Sequence, residues 1–230
     1  QVERLAVIGR FARSIVHDLR SPLSVLGTVA ETVCLPQSSP EMQQEAAGIV
    51  RRQIDVLNDL VSEILTFTRT LPPDRALPPM DYGALVREIL EEVRPVLVLR
   101  SATLEMDGPP PSVEVRMNPK RLRRLWLNLI QNATDAMLHG GRIRVRFEVK
   151  PTEVVTQLED SGPGIAPEVA DQLFEAFVTH GREYGTGLGL SICKRIIEDH
   201  QGWIAARNAP GGGAVFAFGL PLSKANGGDE

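Results

Sequence analysis

The residues of this 230-residue chain whose types and spacing could do chemistry are one histidine in an unusual setting, a pair of asparagines and two glycine-rich loops. His17 is followed by Asp18, Arg20, Ser21 and Pro22. On a helix running through this region it would project about 155° away from the centre of the apolar stripe, into solvent. Proline inside a helical pattern removes a hydrogen bond and bends the helix, which frees a backbone carbonyl beside His17 and Asp18. Neutral imidazole is a nucleophile at neutral pH, and a neighbouring carboxylate can hold the proton on Nδ1 so that Nε2 attacks. A histidine taken at random is more often a surface or satisfied core residue, but this pattern reads as a nucleophile with its orienting base.

Asn128 and Asn132 stand four apart on a predicted helix and so share a face. Their amide oxygens suit Mg²⁺, which binds through few protein ligands and completes its shell with substrate phosphates. Asp160-Ser-Gly162-Pro-Gly164-Ile165 follows an apolar strand. There a carboxylate can accept a hydrogen bond from an exocyclic amine while glycines let a base approach the backbone. Gly185-Thr186-Gly187-Leu188-Gly189 enters a helix and offers free amide N–H groups and a positive dipole end to phosphate. A dinucleotide fold would need a strand directly before these glycines. The preceding Val178-Thr-His-Gly-Arg-Glu-Tyr184 is polar loop instead.

These residues need elements to hold them. Residues 2–35 and 41–70 read as two long helices joined by a short link, the second capped by Ser39 with Pro40 at its first position. The stripe Leu5, Ile8, Ala12, Ile15, Val16, Leu19, Leu23, Leu26 and a second one from Ile49 to Phe67 cannot both be buried by a lone hairpin. Two chains are therefore expected to combine into a dimeric four-helix bundle. Four prolines in Leu71–Pro79 mark a linker. Beyond it, Asp81 can cap a helix to about Leu99, Val113–Met117 is a strand, and Asn118-Pro119 opens a helix to Leu138. Arg142–Val149 and Glu153–Glu159 look like paired strands. A short helix from Pro167 to Phe174, the glycine loop, a helix from Leu188 to Gln201 and strands near Trp203–Arg207 and Ala214–Leu220 complete an α+β sandwich of mixed sheet on helices. The domains expected are 1–70, a linker at 71–79, 80–223, and a polar tail at 224–230.

Composition agrees with this division. Of 20 glycines, three lie in the first 80 residues and ten between Gly162 and Gly213, as a helical first third and a loop-built site require. Gly211 to Gly213 read as an ordinary turn. The formal charge is −4, which leaves no general nucleic-acid footprint. The basic run Arg116–Arg124 and the alternating Arg142, Arg144 and Arg146 read first as solvated faces. No apolar stretch nears the ~20 residues that span a bilayer, so no membrane contact is expected within this fragment.

In this order the elements resemble the sensor histidine kinases of two-component systems: a dimerisation and histidine-phosphotransfer hairpin, then an ATP-binding domain of the type shared with gyrase, Hsp90 and MutL. The match rests on five boxes in order, beginning with His17-Asp-Leu-Arg-Ser-Pro-Leu23, Asn128-Leu-Ile-Gln-Asn132-Ala-Thr-Asp-Ala136 and Asp160-Ser-Gly-Pro-Gly164. Phe174-Glu-Ala-Phe177 and Gly185-Thr-Gly-Leu-Gly189 complete it.

The resemblance implies an ATP- and Mg²⁺-dependent protein-histidine kinase. His17 would be its phosphoacceptor, Asp18 the acid/base partner, and Asn128 and Asn132 the metal ligands. Asp160, Gly162, Gly164 and Ile165 would take the base, and Phe177, Arg182, Gly185, Thr186, Gly187, Leu188 and Gly189 would form the lid and phosphate side. It implies a homodimer that passes the phosphoryl group to a response-regulator receiver domain, and a cytoplasmic location with a sensor or membrane region upstream. Two departures stand out. Ser21 replaces the threonine or asparagine that usually supports dephosphorylation of the regulator. Asp135 stands where many relatives have a phosphate-binding lysine, so Arg182 or Lys120 to Arg124 would supply the charge. A nucleotide-gated clamp without histidine chemistry, or a net phosphatase, are the rival readings.

Overall fold

The computed structural model describes residues 19, 22–33, 39, 42–51, 53–54, 57, 77–176, 178 and 187–223. The chain divides into two compact units, Gln1–Thr70 with Ala176–Leu188, and Leu71–Glu175 with Gly189–Glu230.

In the first unit, residues 22–33 and 42–51 are helical. Ser39 opens the second of these as its sequence position requires: its Oγ accepts from the Met42 N–H at 3.3 Å and its carbonyl from the Gln43 N–H at 3.0 Å. Ala46 is buried, whereas Leu23, on the predicted apolar stripe, is 55% exposed.

The second unit is a sheet with helices against one face. Its elements are β1 (Pro79–Asp81), α1 (Tyr82–Leu99), β2 (Ala102–Asp107), β3 (Glu114–Arg116) and α2 (Pro119–Ala136), then β4 (Gly141–Val149), β5 (Glu153–Asp160), α3 (Pro167–Ala170), α4 (Gly189–Asp199), β6 (Trp203–Asn208) and β7 (Ala214–Pro221). The caps are local chemistry. Asp81 accepts from the Ala84 N–H at 2.8 Å to start α1, and Asn118 accepts from the Arg121 N–H at 3.2 Å to start α2, with Pro119 at the first position. The main sheet runs β2-β4-β5-β7-β6, antiparallel except for the parallel pair β2–β4. Ile143, Val145, Leu158, Phe218 and Leu220 point to the buried face, where Trp126 of α2 meets Phe218 edge-on at 6.0 Å.

Three differences from the sequence expectation concern strands and helix ends. The parallel edge strand β2 was not anticipated. Its sequence alternates, with Ala102, Leu104 and Met106 apolar against Thr103, Glu105 and Asp107, but over six residues only, and burial falls along it from Ala102 through half-buried Leu104 to exposed Met106. The end of the proline run is also structured: Pro79 pairs with Arg116 in β1–β3, and Pro78 accepts from the Met117 N–H. Helix α3 stops at Ala170, and three-residue turns carry the chain on through Glu175.

The arginines of β4 take the bland reading. Arg144 bonds Glu105 at 3.2 Å, and Arg146 bonds Asp107 at 2.7 Å and Glu159 at 3.0 Å, all on the exposed sheet face. Exposed cross-strand pairs of this kind add a few tenths of a kcal/mol each and offer no free basic surface.

Candidate functional site

Helix α2 is built as an amphipathic element, burying Leu122, Leu125, Trp126 and Leu129 against the sheet. Asn128 and Asn132 are half-buried. Asn128 donates from Nδ2 to the Gly189 carbonyl at 3.3 Å, which turns its Oδ1 away from α4. Gly189 is the first residue of α4, and Gly187 just ahead of it has φ +64°, a backbone state that favours glycine.

The two helices are tied at their other ends too. The Asn118 N–H donates to Nε2 of His200 at 3.0 Å, and Nδ1 of the same ring lies 2.6 Å from the Ile196 carbonyl. An imidazole that accepts at Nε2 and donates at Nδ1 is neutral and fixed in one tautomer. Arg121 pairs with Asp199 close by. His200 is buried and therefore holds the start of α2 to the end of α4, a role that nothing in its local sequence announced.

At the far end of α2 lies a second cluster. Strand β5 delivers Asp160, 5% exposed, whose Oδ1 accepts from the Gly162 N–H at 2.8 Å and the Ala214 N–H at 3.2 Å. Its Oδ2 makes no hydrogen bond among the described residues. Burial pushes the Asp160 carboxyl above its ordinary value, against the two backbone donors that favour the ion. A Cβ on Gly162 would stand 2.9 Å from that Oδ1 and 3.3 Å from Cβ of Ala136. Asn128, Asn132 and Ala136 follow one another at four-residue spacing, so one face of α2 runs about 12 Å from the Gly189 end to the Asp160 end.

The turn between β6 and β7 also belongs here. Gly213 has φ +90°, and a Cβ on it would fall 1.8 Å from the Asp160 carbonyl oxygen. It was expected to be an ordinary turn residue; its contact partner is 53 positions away in sequence and invisible to local reading. A Gly213→Ala substitution is expected to cost about 2 kcal/mol or more and to displace Ala214 from Asp160, which thermal melting of the purified chain will read.

Asn128, Asn132, Asp160, Gly162, Gly164, Ile165 and Gly189 are thus placed along one side of this unit. Gly187 and Leu188 are described within the other unit, Leu188 as a buried residue. His17, Asp18, Ser21, Phe177, Arg182, Gly185 and Thr186 lie outside the described residues. Of the basic residues considered for phosphate, Arg182 is among these, Arg121 is held by Asp199, and Arg123 by Glu88 and Glu92. Asp135 accepts from Gln131 at 2.7 Å and pairs with Arg100 at 3.5 Å.

Residues 7–71 match the family model of the His Kinase A (phospho-acceptor) domain, and residues 117–224 that of the histidine kinase-, DNA gyrase B- and HSP90-like ATPase. The chain belongs to the histidine kinase family. The first match takes in His17 and the second everything from α2 to β7. The sensor histidine kinase ZraS of Klebsiella oxytoca is 31% identical over 222 residues, covering 96% of this chain and 47% of ZraS. The chain therefore spans about half the length of this curated relative. Among solved structures, histidine kinase ThkA in complex with response regulator protein TrrA aligns with a TM-score of 0.76 at 27% identity, over 96% of this chain and 64% of that one. Full-length ShkA in complex with AMPPNP aligns with a TM-score of 0.67 at 28% identity, over 97% and 46%. Among the described residues no helix is long and apolar enough to cross a membrane.

Proposed function

We propose that this chain is an ATP-dependent protein-histidine kinase core that phosphorylates itself on His17 and passes the phosphoryl group to an aspartate of a response-regulator receiver. The observation that carries the nucleotide half is Asp160: a buried carboxylate with one oxygen committed to backbone donors and the other left for a ligand. That arrangement suits an exocyclic amine such as that of adenine. Gly162 keeps a side chain out of the space between Asp160 and Ala136. Asn128 and Asn132 fit Mg²⁺ by donor type, since Asn128 spends its amide nitrogen on Gly189 and keeps its oxygen available. ATP would supply the transferred phosphoryl group and Mg²⁺ would offset its charge.

The chain's own part is to position. In this reading Asp160 fixes the base and the start of α4 at Gly189 faces the phosphates, while Phe177, Arg182, Gly185 and Thr186, which the resemblance assigns to the lid and phosphate side, lie outside the described residues. Nε2 of His17 then attacks the γ-phosphorus, a P–N bond forming as the bond to ADP breaks, while Asp18 steadies the imidazolium charge. Such a core works where ATP is plentiful, in the cytoplasm.

Incubation with Mg²⁺ and γ-labelled ATP tests this reading. Label that is acid-labile and base-stable supports it, and an unlabelled wild-type chain defeats it. The exposed stripe residue Leu23 supports a homodimer closed by a second copy of the hairpin. Light scattering is expected to give twice the chain mass of 25.2 kDa; a monomeric mass would sink the dimer.

A further inference from the structure

Between Gly162 and Ala166 the chain leaves β5 with no secondary structure of its own. Among the described residues, the hydrogen bonds of the stretch Pro163–Ile165 are all made by Ile165 to one partner, and it is a side chain. Asn208, the last residue of β6, accepts from the Ile165 N–H at 2.6 Å and donates from Nδ2 to the Ile165 carbonyl at 3.0 Å. An amide side chain carries donor and acceptor side by side, so it matches the N–H and C=O of one extended residue as a neighbouring strand would. Gly164, at φ +86°, is packed so closely that a Cβ would stand 2.7 Å from Oδ1 of Asn208 and 3.3 Å from the Gly213 carbonyl. Asn208 itself is exposed and buries nothing on which the sheet depends.

We propose that Asn208 is a positioning residue that sets base specificity: it clamps the Gly162–Ile165 loop to the β6–β7 turn, so that the wall beside Asp160 is ordered before nucleotide arrives. The inference rests on the ATP-binding reading above. An unclamped loop would have to be ordered at each binding event, and that cost falls on contacts to the base, not on the asparagines of α2. Adenine recognition should therefore weaken while phosphate recognition stays.

The test compares the full chain with Asn208→Asp, which keeps an acceptor for the Ile165 N–H but sets an oxygen against its carbonyl, and with Asn208→Ala, which removes both bonds. ATP and GTP are titrated by calorimetry, melting is recorded without nucleotide, and amide exchange is followed at Ile165 and in β5. Both variants are expected to bind ATP about tenfold more weakly, to bind GTP as the wild type does, and to melt within a few degrees of it. Exchange is expected to rise at residues 162–166 and not in β5. Affinity within twofold of wild type overturns the inference. So does an equal loss for ATP and GTP that tracks a drop in melting temperature, which would mark a purely structural role. A wild-type chain that binds no ATP defeats the functional reading first, and the inference with it.

Discussion

Asp160→Asn is expected to weaken ATP binding about a hundredfold while leaving the nucleotide domain as stable as before, or more so. The two halves of this result have opposite causes at one atom pair. Oδ1 is held by the N–H groups of Gly162 and Ala214, and the asparagine amide oxygen can replace it there without loss. The amide nitrogen must then occupy the position of Oδ2 and present hydrogens to an amine that also donates. A charge-assisted bond is lost and a buried donor is left opposed, the situation in which a polar site discriminates most strongly. The same nitrogen can donate to a carbonyl, so the variant should lose less affinity for GTP than for ATP.

Stability moves the other way because burial raises the Asp160 carboxyl above its unfolded value. A group with a raised folded value costs the fold stability while ionised, and that cost disappears as pH falls through the folded value. The neutral asparagine carries the relief at every pH. Lowering the pH from 7 toward the raised value should therefore erode ATP affinity in the wild type as the carboxylate takes up a proton. Asp160→Asn shares every other titrating group and should lack that component of the slope. Calorimetric titrations at several pH values, with a parallel melt, check both parts; a variant that keeps wild-type ATP affinity would remove Asp160 from base recognition.

What could be read from the sequence is what short-range chemistry encodes. Asp81 and Asn118-Pro119 act within three residues of themselves, so α1 and α2 begin where their caps predict. Strand β4 alternates because one face is buried, and a period of two survives in the sequence, whereas β5 buries Val154, Val155 and Thr156 in succession and reads as an apolar run. Strand β2 carries the same period over only six residues, and its pairing is not local: it lies at an edge, and its parallel partner β4 begins beyond a whole helix. The site divides in the same way. Asn128 and Asn132 are readable from helical spacing, and Asp160 from a carboxylate followed by glycines. Asn208, Gly213 and His200 are not, since their partners Ile165, Asp160 and Asn118 are brought to them only when the sheet and the helix pair close. The β6–β7 turn looked ordinary because its function lies in what it touches.

The hairpin prediction is of a different kind, because it depends on chemistry that only one side chain offers. His17→Gln is expected to abolish acid-labile label, below detection, while ATP titrates as in the wild type and the mass remains that of a dimer. Glutamine is polar and of similar reach, but the lone pair of its amide nitrogen is delocalised into the carbonyl and does not attack phosphorus. Asp18→Asn removes only the orienting charge. It should leave some label, accumulating one to two orders of magnitude more slowly, because the nucleophile survives while its developing positive charge loses a counter-ion. The comparison separates kinase from clamp. A nucleotide-gated clamp would bind ATP, dimerise and tolerate both substitutions without any phosphohistidine to lose, so label persisting in His17→Gln would move the phosphoacceptor elsewhere on the chain. Binding and mass unchanged with label gone would leave His17 as the group that takes the phosphoryl.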